Sequence, residues 1–430
     1  MEKRNIHRKP KKLHKKRFAL ASIQKGAKRS RYSCVKKLKP KEIEILNQRY
    51  RKLHKKRRKR LALMVARRTL LFILTLLILC VFAVYRLGYV LTNGPSETAK
   101  YQLVLSLMQA SATKWVPELF LSKEEVDSIV EKSKQQSKTV IKVEDLIKNP
   151  SDNNPNPSGP QENDPDFWAD AIDGMKLIIL NGSTYKAYVL LVKDPANVFV
   201  GTSTSNYQSA TIGAQIFTVV NRYKDIGAVA AINGGEFPDI GGHGKGERPV
   251  GLTYSQGKCV WDDGIRRTFI GFDKNNKLIV KNSMTREEAD KLGIRDAVCF
   301  QTGNVLIDND GENVRLYYAD SDVGTAQRTA IGQTADGTVI LLVTDGRTAS
   351  SLGATRNDVI NIMVSFGAVT AGMLDGGSST QMYYEDYYTK YNIDPDTLDD
   401  NQKKGLVNKY KAFTPPRYIP TYFVVKKPQA

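Results

Sequence analysis

Two hydrophobic patterns divide this chain. From Thr69 to Tyr85 no residue is charged and Leu, Ile, Phe and Val dominate, with apolar Leu61–Ala66 before and Leu87–Leu91 after. About 20 apolar residues span a bilayer core, and Arg67, Arg68 and Arg86 can snorkel at either end. The pattern predicts a transmembrane anchor over residues 69–91. A cleaved leader fits less well, because its charged start is usually short and no small-x-small cleavage site follows the apolar run. Helical spacing returns in Leu103, Leu107 and Met108, and Ser122-Lys123-Glu124-Glu125 forms a capping box ahead of Val126, Ile129 and Val130. These predict a helical stalk over residues 97–148. Asn149 to Pro165 is dense in Asn, Pro, Asp and Ser, the composition of an unstructured linker over 149–165.

From Asp166 onward short apolar runs alternate with Gly, Asn and Asp. Lys176–Leu180, Lys186–Val192, Asn197–Val200, Ala228–Ile232, Phe269–Phe272, Lys277–Val280, Thr329–Gly332, Val339–Thr344 and Val369–Leu374 read as strands. One clear helix interrupts them over Arg356–Phe366. Thr355 stands at its N-cap with Asp358 three residues on, Val359, Ile362, Met363 and Phe366 form an apolar face, and Gly367 sits where the helix should end. The expected fold of residues 166–430 is α+β, a strand-rich mixed-sheet domain with a few helices.

A strand–helix–strand unit makes its two strands parallel, so Val339–Thr344 and Val369–Leu374 should end at one sheet edge. Asp345-Gly346-Arg347 and Asp375-Gly376-Gly377 would then converge where open sheets bind ligands. Each Asp-Gly alone is an ordinary turn signal; two that converge mark a candidate site. Asn233-Gly234-Gly235-Glu236-Phe237 repeats the arrangement of apolar strand, polar side chain and paired glycines. The glycine-rich run from Gly241 to Gly246 reads as a mobile loop or a substrate lid, and it lacks the Gly-Lys-Ser/Thr ending of a phosphate-binding Walker loop. Among the flanking arginines Arg248, Arg266, Arg267, Arg328 and Arg347, the position of Arg328 and Arg347 beside the expected edge singles them out as phosphate ligands, since a planar guanidinium suits bidentate phosphate recognition.

Charge changes the picture at one end. The net charge is +21, but 28 Lys+Arg against Glu2, Glu42 and Glu44 give residues 1–68 a balance of +25, leaving −4 for the other 362 residues. Residues 1–68 therefore read as a disordered basic tail, cytoplasmic by the positive-inside rule, with the C-terminal domain extracytoplasmic. Attraction to anionic lipid head groups accounts for the tail's charge, and the lack of interleaved aromatics argues against nucleic acid. Cys34, Cys80, Cys259 and Cys299 show no Cys-x-x-Cys spacing, and only the last two could pair within the folded domain. His243 is the single histidine beyond the tail, which excludes a His-dependent triad or a multi-His metal site in the domain.

Taken in order, Asn233-Gly234-Gly235-x-Phe237, Arg328-Thr329-Ala330-Ile331-Gly332, Asp345-Gly346-Arg347, Gly353-Ala354-Thr355, Asp375-Gly376-Gly377-Ser378-Ser379-Thr380 and the closing Pro416-Arg417-Tyr418-Ile419-Pro420-Thr421 resemble the phosphodiester glycosidase family. The resemblance covers about residues 170–426 and leaves out the tail, anchor and stalk. Glu236 and Ser378 depart from the family pattern, which often has an aromatic or small residue and a third glycine there. The resemblance implies hydrolysis of a sugar-1-phosphodiester at the anomeric carbon. It makes Asp375 a nucleophile or base, Asp345 or Glu236 a second carboxylate, Arg328 and Arg347 a phosphate clamp, and Asn233, Ser378 and Ser379 sugar contacts, with Gly234, Gly235, Gly376 and Gly377 letting substrate approach the backbone. No cofactor is required by the sequence; several aspartates and a phosphate could share a divalent cation. An external, membrane-held location suggests a sugar-phosphate envelope polymer or glycolipid as substrate. Two other readings fit the same residues: a non-catalytic envelope glycan- or phosphate-polymer-binding scaffold, and a phosphodiesterase that breaks the P–O bond.

Overall fold

The computed structural model describes residues 40–108, 113–133, 136–143, 166–320, 324–346, 348, 351–410 and 414–428. The expected linker over 149–165 and the candidate Arg347 lie outside them. Two compact units are formed, one ending at Leu87 and one running from Gly88 onward.

Helix α1 (Pro40–Asn93) runs through the apolar stretch. Its Tyr50–Asn93 portion is long and apolar enough to cross a membrane, with a window of mean hydropathy 2.6. The helix begins at Pro40, inside the stretch expected to be a disordered tail. Lys, Arg and Leu are good helix formers, and Pro is accommodated in a first turn.

The second unit starts with helices α2 (Glu97–Met108) and α3 (Lys123–Ser133). The capping box at α3 is reciprocal: Glu125 N–H donates to Ser122 Oγ and Ser122 N–H to Glu125 Oε2. Val104, Leu105, Leu121, Val126 and Ile129 bury the contact between the two helices. The helical expectation then fails. Gln136–Lys142 is strand β1, paired antiparallel along β12 (Asn313–Ala319). Thr139-Val140-Ile141 is β-branched, and lysines on an exposed edge strand discourage further pairing. The segment expected as a stalk packed on the membrane or on the domain packs on the domain through β1, in a folded unit that begins well before residue 166.

The largest sheet has the order β1-β12-β11-β15-β13-β14-β3-β2. Its other members are β2 (Met175–Asn181), β3 (Lys186–Val192), β11 (Val305–Asn309), β13 (Thr329–Thr334), β14 (Val339–Thr344) and β15 (Ala368–Met373). A five-stranded sheet comprises β6 (Thr253–Ser255), β7 (Lys258–Trp261), β8 (Thr268–Asp273), β9 (Leu278–Lys281) and β10 (Ile294–Phe300). A four-stranded sheet, in the order β16-β5-β17-β4, comprises β4 (Val198–Thr202), β5 (Ala228–Asn233), β16 (Met382–Tyr384) and β17 (Thr421–Lys426). The α+β class holds, and the pairings between these strands are antiparallel.

Side-chain alternation explains the layering. On β17, Phe423 and Val425 enter the main core while Tyr422 and Val424 face a second cluster with Ile216, Val219 and Val220 of helix α4 (Ile216–Arg222). Strand β14 is buried at every position, so both faces are covered and its sequence is an unbroken apolar run.

Helix α6 (Arg356–Ser365), which follows the short α5 (Arg286–Leu292), forms as its sequence dictates. Asp358 N–H donates to Thr355 Oγ1, Thr355 N–H to Asp358 Oδ2, and Gly367 closes the end at φ +73°. It links β14 to β15, and these strands do run parallel. They are not neighbours, because β13 lies between them and pairs antiparallel with both. Strand β13 already holds one side of β14 through the tight turn at Asp336-Gly337, so the crossover must set β15 on the far side.

Candidate active site

Because β13 runs opposite to β14 and β15, its start lies at the edge where they end: Thr329 faces Val343, and Ala330 faces Met373. The entering segment ties both Asp-Gly turns together. Gln327 Nε2 donates to the Gly346 carbonyl (2.8 Å), and the Gln327 carbonyl accepts from Gly377 N–H (2.9 Å). The turns therefore converge, as their connectivity requires. Their carboxylates go separate ways. Asp345 accepts from Tyr188 Oη (2.9 Å) and from Lys409 N–H (2.8 Å), and burial raises its pKa to about 6 against these bonds. Asp375 turns toward Ser379 and the Arg417 guanidinium. Burial pushes its carboxyl to about 7, Ser379 and Arg417 pull it down, and the charges of Asp239 and Glu236 push it up.

Asn233, the last residue of β5, joins the four-stranded sheet to this edge. Its Oδ1 accepts from Thr329 Oγ1 (2.7 Å) and Gln381 N–H (3.0 Å), and its Nδ2 donates to the Asp375 carbonyl (2.6 Å). The amide is fully buried, and what it holds is the Asp375 turn. Gly234 and Gly235 follow, and a Cβ on Gly235 would stand 2.3 Å from the Cys299 carbonyl oxygen, so this glycine is required by β10. Gly376 packs on the Gln327 carbonyl, whereas Gly377 has φ +60° and open space around it, which suits approach by a ligand.

Glu236 pairs with Arg267 (3.0 Å); burial raises its pKa, with Arg267 opposing. Ser378 is exposed, and Ser379 is buried beside Asp375. Arg328 spends its guanidinium on the carbonyls of Ala354 (3.1 Å) and Gly324 (2.8 Å), bracing two loops. Arg248 stands over the Trp261 ring, and Arg266 pairs with Asp262. Cys259 and Cys299 are both free thiols.

The structure brings in groups that sequence reasoning passed over. Arg417 makes a fork to Asp239 (2.7 and 2.9 Å), donates to Ser378 Oγ (3.1 Å) and the Gly244 carbonyl (3.0 Å), and lies over the Phe237 ring. Burial works against its charge, but Asp239 and Asp375 outweigh that and its pKa is raised. Tyr410 donates to the Ser378 carbonyl and accepts from Arg417 N–H. The signal available was the Pro416-Arg417-Tyr418-Ile419-Pro420 run, which reads from sequence as a strand lead-in. A fork between residues 178 positions apart leaves no local trace.

Among the described residues no group of three or more His, Cys, Asp or Glu is arranged to hold a metal ion. Glu236 and Asp239 each face a guanidinium, which a cation would have to displace. The donor set does not fit a hard cation, and no step below uses one.

The assembly is a half-buried carboxyl whose pKa is pushed up to about 7, beside a guanidinium held in a carboxylate fork, on a glycine turn open to solvent. Residues 226–426, just under half of the chain, match the family described as phosphodiester glycosidase. That stretch of the chain is similar to the phosphodiester glycosidase family. The match takes in β5 through β17 and every site residue named above except Tyr188. A curated relative, the SPbeta prophage-derived uncharacterized protein YomE of Bacillus subtilis (strain 168), is 27% identical over 139 residues, which are 32% of this chain and 20% of the relative. The matched region thus spans about a fifth of that relative's length. Among solved structures, the chain is similar to the zebrafish N-acetylglucosamine-1-phosphodiester alpha-N-acetylglucosaminidase catalytic domain auto-inhibited by its pro-peptide, with 17% identity, TM-score 0.45, and coverage of 59% of this chain and 82% of that one. A hypothetical protein from Synechocystis follows at 14% identity and TM-score 0.39, covering 59% of this chain and 62% of that one.

Proposed function

We propose that this phosphodiester glycosidase domain hydrolyses a sugar-1-phosphodiester at the anomeric carbon, and that α1 anchors it in a membrane with the domain outside. The observation that carries the reading is Asp375, held by burial at about 7 between Ser379 and Arg417. A general base works best when its pKa lies near the working pH. In this scheme deprotonated Asp375 takes the proton of a water that attacks the anomeric carbon. The bond between that carbon and the phosphate oxygen breaks, its electrons leave with the phosphate, and a free sugar and a phosphomonoester result. A phosphomonoester leaves without prior protonation, so no strong general acid is required, in keeping with a domain that has one histidine. Arg417, oriented by Asp239, stabilises the charge that develops on the phosphate. Glu236, tied to Arg267, helps keep the Asp375 pKa high through its negative charge, so of the two carboxylates weighed as partners it is the one that acts on Asp375. Asp345 instead holds Tyr188 and the chain at Lys409.

The basic residues preceding the apolar stretch support a cytoplasmic location for that end. The domain then faces the envelope, where a sugar-phosphate polymer or a glycolipid is the natural substrate. The test is product analysis with the purified full-length protein and a defined sugar-1-phosphodiester. Appearance of the free sugar together with the intact phosphomonoester, abolished in Asp375→Asn, supports the reading. No turnover across varied sugars would instead favour a binding protein.

A further inference from the structure

Resting on this reading, we infer that the substrate is held in the membrane by a hydrocarbon chain, and that the chain lies in an apolar groove at the start of the second unit. The groove, about 390 Å³, is lined by Leu91 of α1, Ala99, Gln102, Leu103 and Ser106 of α2, and Thr325 and Leu352 of the loops opposite. Leu91 lies six residues beyond Tyr85, where the uncharged stretch ends, a rise of about 9 Å along a helix. A groove with that residue in its wall therefore lies within a short length of chain of the membrane-spanning stretch. The opposite wall leads to the site. Ala326, next to Thr325, pairs with Ala354 through both backbone bonds (2.9 and 3.2 Å), and the following Gln327 carbonyl holds the Asp375 turn at Gly377.

A second observation points the same way. Phe120, shortly before α3, packs against Gly88, since a Cβ there would stand 2.5 Å from its ring. The stretch from Thr113 to Phe120 exposes Trp115 (61%), a side-chain type that settles at membrane interfaces, and the apolar Leu119 (54%). Lys114 in the same segment is near enough to lower the pKa of Glu236. One short segment therefore packs on Gly88, just beyond the apolar stretch, and places a positive charge within electrostatic range of Glu236. A site so placed takes a sugar phosphate presented at the lipid surface, its aglycone a long saturated or isoprenoid alcohol.

The test uses the full-length protein in lipid nanodiscs with a sugar-1-phosphodiester whose ten-carbon alkyl aglycone carries a photoreactive diazirine. Cross-linking needs no turnover, so it reads the groove even if the hydrolysis reading fails. The label is expected on peptides containing Leu103 or Leu352, with its yield falling about tenfold in Leu352→Asp, the effect of about two methylenes losing their apolar contact. Leu352 is already exposed, so the variant keeps the fold. Where the enzyme turns over substrate, the same variant should lower the preference for decyl over methyl aglycone in kcat/KM by a similar factor. Label confined to Thr69–Tyr85, or indifferent to Leu352→Asp, overturns the inference, as does equal kcat/KM for the two aglycones.

Discussion

Replacing Asp375 by Asn should stabilise the protein while abolishing turnover, and the stabilisation should depend on pH. The folded carboxyl titrates at about 7 against an ordinary value of 3.8. A raised carboxyl pKa favours the protonated form, so its stabilising contribution is full below pH 3.8 and is lost as pH rises through 7. About three units at 1.36 kcal/mol each give a ceiling of about 4 kcal/mol, and partial solvent access brings this to roughly 2–4. For a unit of about 340 residues, with an unfolding entropy of about 2.1 cal/mol/K per residue, that is a rise in Tm of about 3–6 °C. The assay is thermal unfolding of both proteins across pH 5 to 8, alongside turnover. Asn is neutral throughout, so its advantage should widen with pH, while kcat falls by about 10²–10⁴, the usual value of a general base. A gap that is flat with pH, a variant less stable at pH 8, or near-normal turnover would refute the reasoning.

Other consequences follow from the same geometry. The kcat/KM of the wild type should rise with an apparent pKa near 7 as Asp375 deprotonates, read from a pH–rate profile; a profile flat from pH 5 to 9 contradicts a base at this position. Arg417→Ala removes the cation that lowers the Asp375 pKa, so that limb should move to higher pH, with kcat reduced about 100-fold, and Arg417→Lys should restore the limb but not the fork to Asp239. Asn233→Ala strands three partners and should cost about 2–4 kcal/mol, measured by denaturant unfolding; a loss of activity with unchanged stability would make Asn233 a substrate ligand instead. Gly235→Ala drives a methyl into the Cys299 carbonyl and should lower Tm markedly, with no compensating change in the pH profile.

Local chemistry was what the sequence exposed. Strands β3 and β14 have the expected ends, because apolar runs bounded by charged and glycine residues mark themselves. The cap of α6 was legible because a capping box is written within four residues. Convergence of the two Asp-Gly turns followed from connectivity alone. The direction of their carboxylates did not, since Asp345 is claimed by Tyr188, 157 residues away. The same limit hid β10, where Arg295 and Asp296 interrupt the apolar pattern. Asp296 is buried in the strand and accepts from Val200 N–H (2.8 Å) and Gln256 N–H (2.9 Å), so a charge that reads as a break is a structural acceptor. Strand β1 was taken for helix because a lone edge strand gains its identity from the sheet it joins. Most consequentially, the Arg417–Asp239 fork links the end of the chain to the loop after β5, a pairing only the tertiary fold creates.

The central claim is cleavage at the anomeric carbon by water, with the phosphate oxygen leaving intact. Hydrolysis of a defined sugar-1-phosphodiester by the full-length protein in oxygen-18 water, stopped early and read by mass spectrometry of the phosphomonoester, tests it most directly. The account predicts a phosphomonoester free of oxygen-18, because its oxygens never exchange with the attacking water. Oxygen-18 in the phosphate would mean that the P–O bond breaks and would contradict the role assigned to Asp375.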